Sequence, residues 1–589
     1  MLSASLSEGS NGDDAEVFTD ACFLIDGINR NLNQSKPDIV VPENTVHDAS
    51  QAQQSLDAQS NSGMDDLQFR SLMLDTQVLG TLNYLKWRWN LISTIVDGPL
   101  LNQKRLEETI KATKFMKRLL AFYQPFKYRF SEARNTKPNQ RYVRVGCALI
   151  KALMHNPEGL LYLSECKLIS QIAECLAQLD DTCGVATGSP FFSSYRISET
   201  LTGAYFTFLG VISGDERGLQ MLERWRIINM FYRIMELDDR DDLIQTLLGN
   251  LDFSPNSHLR VMLSKGLTAC SKTIRIYTTK LLRKYVKPTS QGSSGKEHAI
   301  KSNGWIIRLL VTQLYDPQLQ VCEMAVKVLE DICDQQANLE YVVRCRPALD
   351  HLGEIGAPLL LKFLTTSLGY QYLDRLDYID QEMDDWFHGR NGAYVTVVEA
   401  SLARALAPVA QRRRSILDEA LQPHQGGLVP PHFYRELTRT REGCQLLRDS
   451  GHFGEFVATI KDHWSESQNG ETINRLKACL WVVGHVGSMD FGGSFLDETD
   501  VVQWIVKVAT MSQVLTLRGT AFFVLGLISR SLHGMEILLE FGWDVLTNDR
   551  GQSIGYCLPH HLGDFFSVSH SEPARSLKFR SDCSIDRSG

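Results

Sequence analysis

The chain has 589 residues, is 43% hydrophobic and 22% charged, and carries a formal net charge of −8. That balance suits a folded chain with room for several domains or one long repeat array, and it excludes any general affinity for nucleic acid or anionic surfaces outside local basic patches. No uncharged apolar run reaches the roughly 18 residues of a membrane-spanning helix, so no transmembrane segment is predicted.

In chain order, residues 1–64 are rich in Ser, Asn, Gln and Asp ("DASQAQQSLDAQSNSG") and too poor in apolar residues to order themselves, so a disordered lead-in is predicted. The opening "MLSASLSEGSNGDDAEV" has neither the basic nor the apolar region of a signal peptide. The 13 cysteines are scattered, mostly inside apolar segments, and read as reduced buried thiols in a cytoplasmic protein.

Residues 65–180 are predicted to be helical repeats. They contain "ATKFMKRLLAFYQPFKYRF", which puts Lys114, Lys117 and Arg118 at i, i+3 and i+4, three cations on one helical face opposite Phe115, Leu119 and Phe122. Crowded like charges repel, and a phosphate-rich anion would relieve them; a plain solvated face is the alternative. Lys127 and Arg129 follow nearby. After a loop at "TCGVATGSP", residues 197–390 are again read as helical repeats, with a second basic face at Lys280, Arg283, Lys284 and Lys287. Residues 391–432 read as a helix and a linker ("LQPHQGGLVPPH"), 433–546 as C-terminal repeats and 547–589 as a disordered tail.

The repeat is legible in two neighbouring stretches, "KACLWVVGHVGSMDFGGSFLDETDVVQWIVKVA" and "RGTAFFVLGLISRSLHGMEILLEFGWDVL". A shift of about 42 residues places Gly484 on Gly526, Gly492 on Gly534 and Leu496 on Leu538. The shared pattern is an apolar residue, five others, Gly, three others, then Leu. It recurs at Leu153–Gly159–Leu163, Ile212–Gly218–Leu222 and Leu437–Gly443–Leu447, and with Asn in place of Gly at Ile332–Asn338–Val342. This predicts one helix, a turn in which Gly or Asn takes positive φ, and a second helix facing the first. One such unit cannot hide its apolar face and must stack on its neighbours. The predicted fold is therefore all-α, a degenerate armadillo/HEAT-like α-solenoid with disordered N- and C-terminal tails. A rival reading takes "VVQWIVKVA" and "AFFVLGLIS" as buried strands.

The sequence carries no recognisable catalytic signature. "GSSGKE" lacks phosphate-loop spacing, and the glycines of "GHVGSMDFGG" follow no strand–helix pattern. Cys557, His560, His561 and Cys583 are the best zinc set, but one pair is adjacent and the fourth lies in the predicted tail, so no metal is expected. His485 reads as a hydrogen-bonded core histidine. Trp504 and Trp543 are candidate interface anchors, with core packing as the alternative. An enzyme is not expected.

"LDTQVLGTLNYLKWRWNLI" followed by "TKFMKRLLAFYQPFK" resembles the middle region of the Rictor (Pianissimo) family, rapamycin-insensitive companions of TOR kinase. "LSKGLTAC", "IYTTKLLRKYV", "GWIIRLLVTQLYDP" and "RPALDHLGEIGAPLLLKFLTTSLGYQYL" are similar to the same family, in part to its Ras-exchange-factor N-terminal module. "KACLWVVGHVGS" and "VLTLRGTAFFVLGLISRSLHGMEIL" resemble its C-terminal helical segment, so the resemblance runs from Leu74 to Asp544, closest to fungal members. It implies a non-catalytic scaffold of TOR complex 2 that holds the TOR kinase, the SAPK-interacting subunit and the WD-repeat TOR subunit, and that acts indirectly on AGC-family kinases. It implies no nucleic-acid partner, and a cytoplasmic protein recruited peripherally to the plasma membrane through its complex. In the family the stretch matching Lys114, Lys117 and Arg118 contributes to a basic pocket, so an inositol polyphosphate or ATP is the implied structural ligand. Ala121 stands where an aromatic is expected, and Leu82 and Tyr84 replace polar positions. Family members also carry a large helical block before this region, so a fragment, an incomplete gene model or a shortened paralogue is expected. A free-standing armadillo adaptor for a small GTPase is the competing reading.

Overall fold

The computed structural model of the chain describes residues 65–179, 190–255, 257–286, 293–406 and 429–561. Its contacts fall into an N-terminal unit ending at Gly356 and a C-terminal unit beginning at Ala357, a division inside the stretch 197–390. Both units are built of helices packed on their neighbours. In the N-terminal unit, the helix Gln140–His155 packs against Trp89–Asp97, Pro157–Glu165 and Ala204–Ser213. In the C-terminal unit, Leu515–Ile528 packs against Gly470–Gly487 and Val501–Met511. "VVQWIVKVA" is helical: Val501, Val502, Ile505, Val508 and Ala509 are buried at helical spacing. "AFFVLGLIS" lies in the helix Leu515–Ile528, which buries residues on several sides because neighbours cover several faces.

The repeating unit has three helices where two were predicted. A first helix is followed by a second, at whose start the patterned glycine sits, and then by a third. Gln140–His155, Pro157–Glu165 and Lys167–Ala177 form one such unit; Ala204–Ser213, Glu216–Arg224 and Ile227–Ile234 form the next. In the C-terminal unit the same order runs through Ala357–Phe363, Ser367–Asp374 and Tyr378–Asp385, then Phe433–Leu437, Arg441–Ser450 and His452–His463. Gly470–Gly487, Gly493–Asp497 and Val501–Met511 repeat it. This is the three-helix form of the armadillo class.

The patterned glycines do not turn the chain at positive φ. Gly159, Gly218, Gly443, Gly492 and Gly534 all lack the left-handed φ that marks Gly353, Gly451 and Gly542. Four of them lie in the opening turn of the second helix, and Gly492 closes a short 3-10 turn just before it. What requires glycine is close approach. A Cβ at Gly218, Gly443, Gly492 or Gly534 would overlap the carbonyl oxygen of Ile212, Leu437, Val486 or Ile528 respectively, the residue six places earlier in the last turn of the first helix. At Gly159 the obstacle is likewise the Leu153 carbonyl. Asn338 occupies the equivalent place and donates from its Nδ2 to the Ile332 carbonyl at 3.1 Å. The turn adds a cap: Thr440 and Ser531 accept the amide hydrogens of Gly443 and Gly534 at 3.2 and 3.0 Å. Gly369 belongs to the same set, with Thr366 as its cap and the Phe363 carbonyl beside it.

The last unit departs from the pattern. Its helices Leu515–Ile528 and Leu532–Glu540 are followed by an antiparallel hairpin, β1 (Trp543–Thr547) and β2 (Ser553–Pro559), where a third helix would stand. Trp543 pairs with Pro559 and Val545 with Cys557, with an irregularity between Val545 and Thr547. The predicted disordered tail therefore begins too early: residues 547–561 are ordered, and 562–589 lie outside the described residues. The turn explains the hairpin. The Asn548 side chain accepts the amide hydrogens of Arg550 and Gln552, both at 3.0 Å, and Gly551 takes a φ of 71°. β2 lies directly on the helix Leu515–Ile528, so close that a Cβ at Gly526 would overlap the Gly555 carbonyl oxygen.

Two kinds of helical glycine should respond oppositely to alanine. Gly443→Ala and Gly526→Ala push against backbone that cannot retreat and should each destabilise the chain by about 1–3 kcal/mol. Gly519, with nothing within 4 Å of its Cβ position, should gain roughly 0.5–1 kcal/mol as alanine, the helix-propensity difference. Thermal unfolding of the three variants tests the pattern, and a neutral Gly443→Ala would overturn the close-approach account.

Candidate functional site

The basic face is built on the helix Phe115–Tyr123, which buries Phe115, Met116, Leu119, Leu120, Phe122 and Tyr123. Lys114 is its N-cap residue; Lys114 and Lys117 are exposed. Arg118 points elsewhere. Its Nη1 donates to the carbonyl of Val78 at 3.0 Å and also to that of Leu79. Of the three predicted cations, two face solvent and the third holds a loop, which revises the polyanion constellation. The loop, residues 77–88, lies along this helix. The Tyr84 ring is 5.0 Å from that of Phe122, and Trp87 and Trp89 lie 6.0 and 5.0 Å from the same ring. Trp87 and Trp89 donate their indole hydrogens to the carbonyls of Thr81 and Tyr84 at 2.9 and 3.1 Å. Leu82 is 62% exposed, Tyr84 is half-buried by its aromatic neighbours, and Ala121 is half-buried.

The second basic face is thinner than its sequence. Arg283 pairs with Asp331 at 2.9 Å, and the Lys284 ammonium lies 5.6 Å over the Tyr285 ring. Lys280 is exposed, and Lys287 lies outside the described residues.

The two tryptophans part company. Trp504 is half-buried beside Trp464, ring centroids 6.3 Å apart, with the Lys507 ammonium 3.9 Å over its face. Trp543 is only 1% exposed, 6.4 Å from the Phe522 ring, and fills the space beneath the hairpin. It is a core residue and offers no anchor to a partner. Of the zinc set, Cys557 is buried and its thiol pushed up to about 12 by burial, while His560 Nε2 lies 3.0 Å from Asp544 Oδ1. Cys583 lies outside the described residues.

Sequence reading missed a buried polar cluster in the C-terminal unit. His485 is a core histidine, its Nε2 2.9 Å from the Tyr394 hydroxyl, and its ring stacks 4.4 Å from that of His432. Four residues beyond His432, Glu436 receives hydrogen bonds from Arg435 at 2.6 Å and from Arg439 at 2.9 Å; Glu436 and Arg435 are buried and Arg439 is half-buried. Burial first, then the positive charge of Arg435, pulls His432 down to about 3. His485 is lowered well below its ordinary value by burial, then by His432 and Arg435. Among the described residues neither ring nitrogen of His432 has a hydrogen-bond partner, and no such bond offsets the lost hydration of a charged ring. Only the spacing of "PHFYREL" signals that a histidine and two charges enter the core together, and that is no motif.

The unfolded chain takes up protons below about 6.5 that His432 refuses while folded, so stability is full above that pH and is lost as pH falls toward 3. At pH 5 the loss from His432 alone should be about 2 kcal/mol. Urea unfolding at pH 7.5 and pH 5 should show His432→Phe less acid-sensitive than wild type by about that amount; equal sensitivity would overturn the assignment.

These units define a helical-repeat protein of the armadillo class. Three family models match within it: the Rapamycin-insensitive companion of mTOR middle domain at residues 183–286, its RasGEF_N domain at 301–408 and its domain 5 at 474–544. The middle-domain match falls downstream of residues 65–180, where that resemblance was expected. The chain is 43% identical over 88% of its length to Target of rapamycin complex 2 subunit ste20 of Schizosaccharomyces pombe. It is 33% identical over 86% to Target of rapamycin complex 2 subunit TSC11 of Saccharomyces cerevisiae, and 32% identical over 81% to human Rapamycin-insensitive companion of mTOR. The chain belongs to the Rictor family. It spans 38%, 36% and 27% of the lengths of those three relatives. Among solved structures, the UNC-45 chaperone aligns over 81% of this chain and 60% of its own at 12% identity, with a TM-score of 0.21.

Proposed function

We propose that the chain is a non-catalytic subunit of TOR complex 2 that holds the TOR kinase and partner subunits together and supports phosphorylation of AGC-family kinases. The observation that carries this is that two fungal relatives named as subunits of that complex align over 88% and 86% of the chain. The repeat architecture supports it. Units that touch only their neighbours leave a long surface free, so several partners can be held at once without disturbing the fold. The SAPK-interacting subunit and the WD-repeat TOR subunit are the further partners in this reading. The protein acts in the cytoplasm and reaches the plasma membrane as part of the assembly. Affinity purification of the tagged chain from its native organism should recover TOR kinase. Recovery of a small GTPase without TOR would favour the adaptor reading, which the RasGEF_N match keeps in view.

Lys114 and Lys117 are the proposed contacts for an inositol polyphosphate or ATP, held as a structural ligand and not turned over. Lys114→Glu with Lys117→Glu should abolish salt-sensitive binding of inositol hexakisphosphate and leave thermal stability nearly unchanged, because both side chains are exposed. Arg118→Ala should instead cost about 1–3 kcal/mol, since the carbonyls of Val78 and Leu79 lose their donor. Equal binding by wild type and the double variant would return the two lysines to a solvated face.

A further inference from the structure

The two segments that meet at the basic face contain no carboxylate at all. From Thr76 to Val96 and from Thr113 to Ser131 the sequence has no Asp or Glu, while it carries Lys86, Arg88, Lys114, Lys117, Arg118, Lys127 and Arg129. That is a local excess of positive charge on a chain whose net charge is −8. The segments are joined physically by the Tyr84–Phe122 ring contact at 5.0 Å and by Arg118, whose guanidinium holds the carbonyls of Val78 and Leu79. Among the described residues, Lys86, Arg88, Lys114 and Lys117 are exposed and form no ion pair.

On the same loop, two leucines stand out of the protein. Leu82 is 62% exposed and Leu85 is 70% exposed, flanking the half-buried Tyr84, whose ring anchors the turn to the helix beneath. The turn is stiff. Asn83 caps it by accepting the Leu85 amide hydrogen at 3.1 Å, and the indoles of Trp87 and Trp89 tie down the carbonyls of Thr81 and Tyr84. Exposed leucines on a rigid, cationic, carboxylate-free loop combine two affinities, one for apolar matter and one for phosphate.

We propose that this loop and the adjoining helix form a docking surface for an anionic phospholipid bilayer. Leu82 and Leu85 enter the boundary between headgroups and acyl chains, and Lys86, Arg88, Lys114 and Lys117 lie against the lipid phosphates. A soluble polyphosphate would satisfy the cations and leave the leucines in water; a bilayer satisfies both. Charge complementarity selects an anionic surface, and the leucines, exposed before and after Tyr84 in the sequence, suit a fluid interface that closes around them.

The test uses the full 589-residue chain in flotation with phosphatidylcholine vesicles, with and without about 30% phosphatidylserine. The chain should float only with the anionic vesicles, and less as salt is raised. Lys86→Glu with Arg88→Glu should weaken flotation by roughly five-fold per cation. Leu82→Ser with Leu85→Ser should weaken it by about ten-fold or more and leave inositol hexakisphosphate binding intact. Both leucines are exposed, so circular dichroism and the unfolding midpoint should stay at wild-type values. The proposal is overturned if the leucine variant floats like wild type, which would mean that charge alone is read. It is equally overturned if the chain ignores both vesicles and binds polyglutamate in a leucine-dependent way, which would make the surface a seat for an acidic peptide. Loss of TOR recovery in cells would not bear on this result, and vesicle binding would not establish membership of the complex.

Discussion

The repeats depend on one steric condition: the carbonyl that ends the first helix of a unit must touch the start of the second without a side chain between them. Ile212 and Gly218, Leu437 and Gly443, and Ile528 and Gly534 meet this way. Everything else in the unit follows from the short distance. The second helix can leave the first at a sharp angle with only a few intervening residues, and its fourth residue after the glycine, such as Leu222, Leu447 or Leu538, arrives buried. The orphan carbonyls and amide hydrogens at the junction are met locally, by Thr440 and Ser531 as caps and by the Asn338 side chain where glycine is absent. A turn so compact leaves the third helix free to close the layer. In the last unit a hairpin with Trp543 at its base stands in place of the third helix.

The C-terminal unit adds a different constraint. Its interior holds a stacked neutral histidine pair and an Arg–Glu–Arg chain, and such groups are tolerated only when their geometry is fixed. Tyr394, His432 and His485 come from three separate places in the sequence, so their contact ties the helix Asn391–Leu406, the segment entering at Val429 and the helix Gly470–Gly487 to one arrangement. Apolar packing alone would accept small shifts among these elements. A histidine whose one hydrogen-bonding partner among the described residues is a tyrosine hydroxyl does not.

The repeat was legible in the sequence because it is a backbone requirement written in one residue type at fixed spacing. The same rule finds Gly369, between Phe363 and Leu373, once the cap at Thr366 is recognised as part of the pattern. The reason for the glycine was not legible: spacing alone cannot distinguish a left-handed turn from a carbonyl pressed against a bare Cα. The third helix of each unit was obscured because its start carries no common residue. The hairpin was missed for a related cause. Its strands are short, and its signal lies in the Asn548 and Gly551 turn, inside a stretch otherwise read by its polar composition. Charge was the most misleading feature. Lys117 and Arg118 are adjacent and identical in sign, yet one faces water and the other serves as a bolt for the Val78–Leu79 backbone. Which role a cation takes depends on a loop some forty residues away, and periodicity within one helix holds no information about it.

That division of labour among cations has a structural logic. Arg118 can satisfy two carbonyls at once because a guanidinium offers several donors in a plane, whereas an ammonium at the same place would hold them less firmly. Fixing the loop with arginine leaves the lysines, long and freely hydrated, as the mobile part of the surface. The aromatic cluster under Tyr84 then decides what the loop presents. With Phe122, Trp87 and Trp89 packed around it, the Tyr84 ring takes the inward place in the turn, and Leu82 and Leu85 stand exposed. Exposed Leu82 and Leu85 are therefore a consequence of how the interior is packed, and the face they form persists whether or not anything covers it.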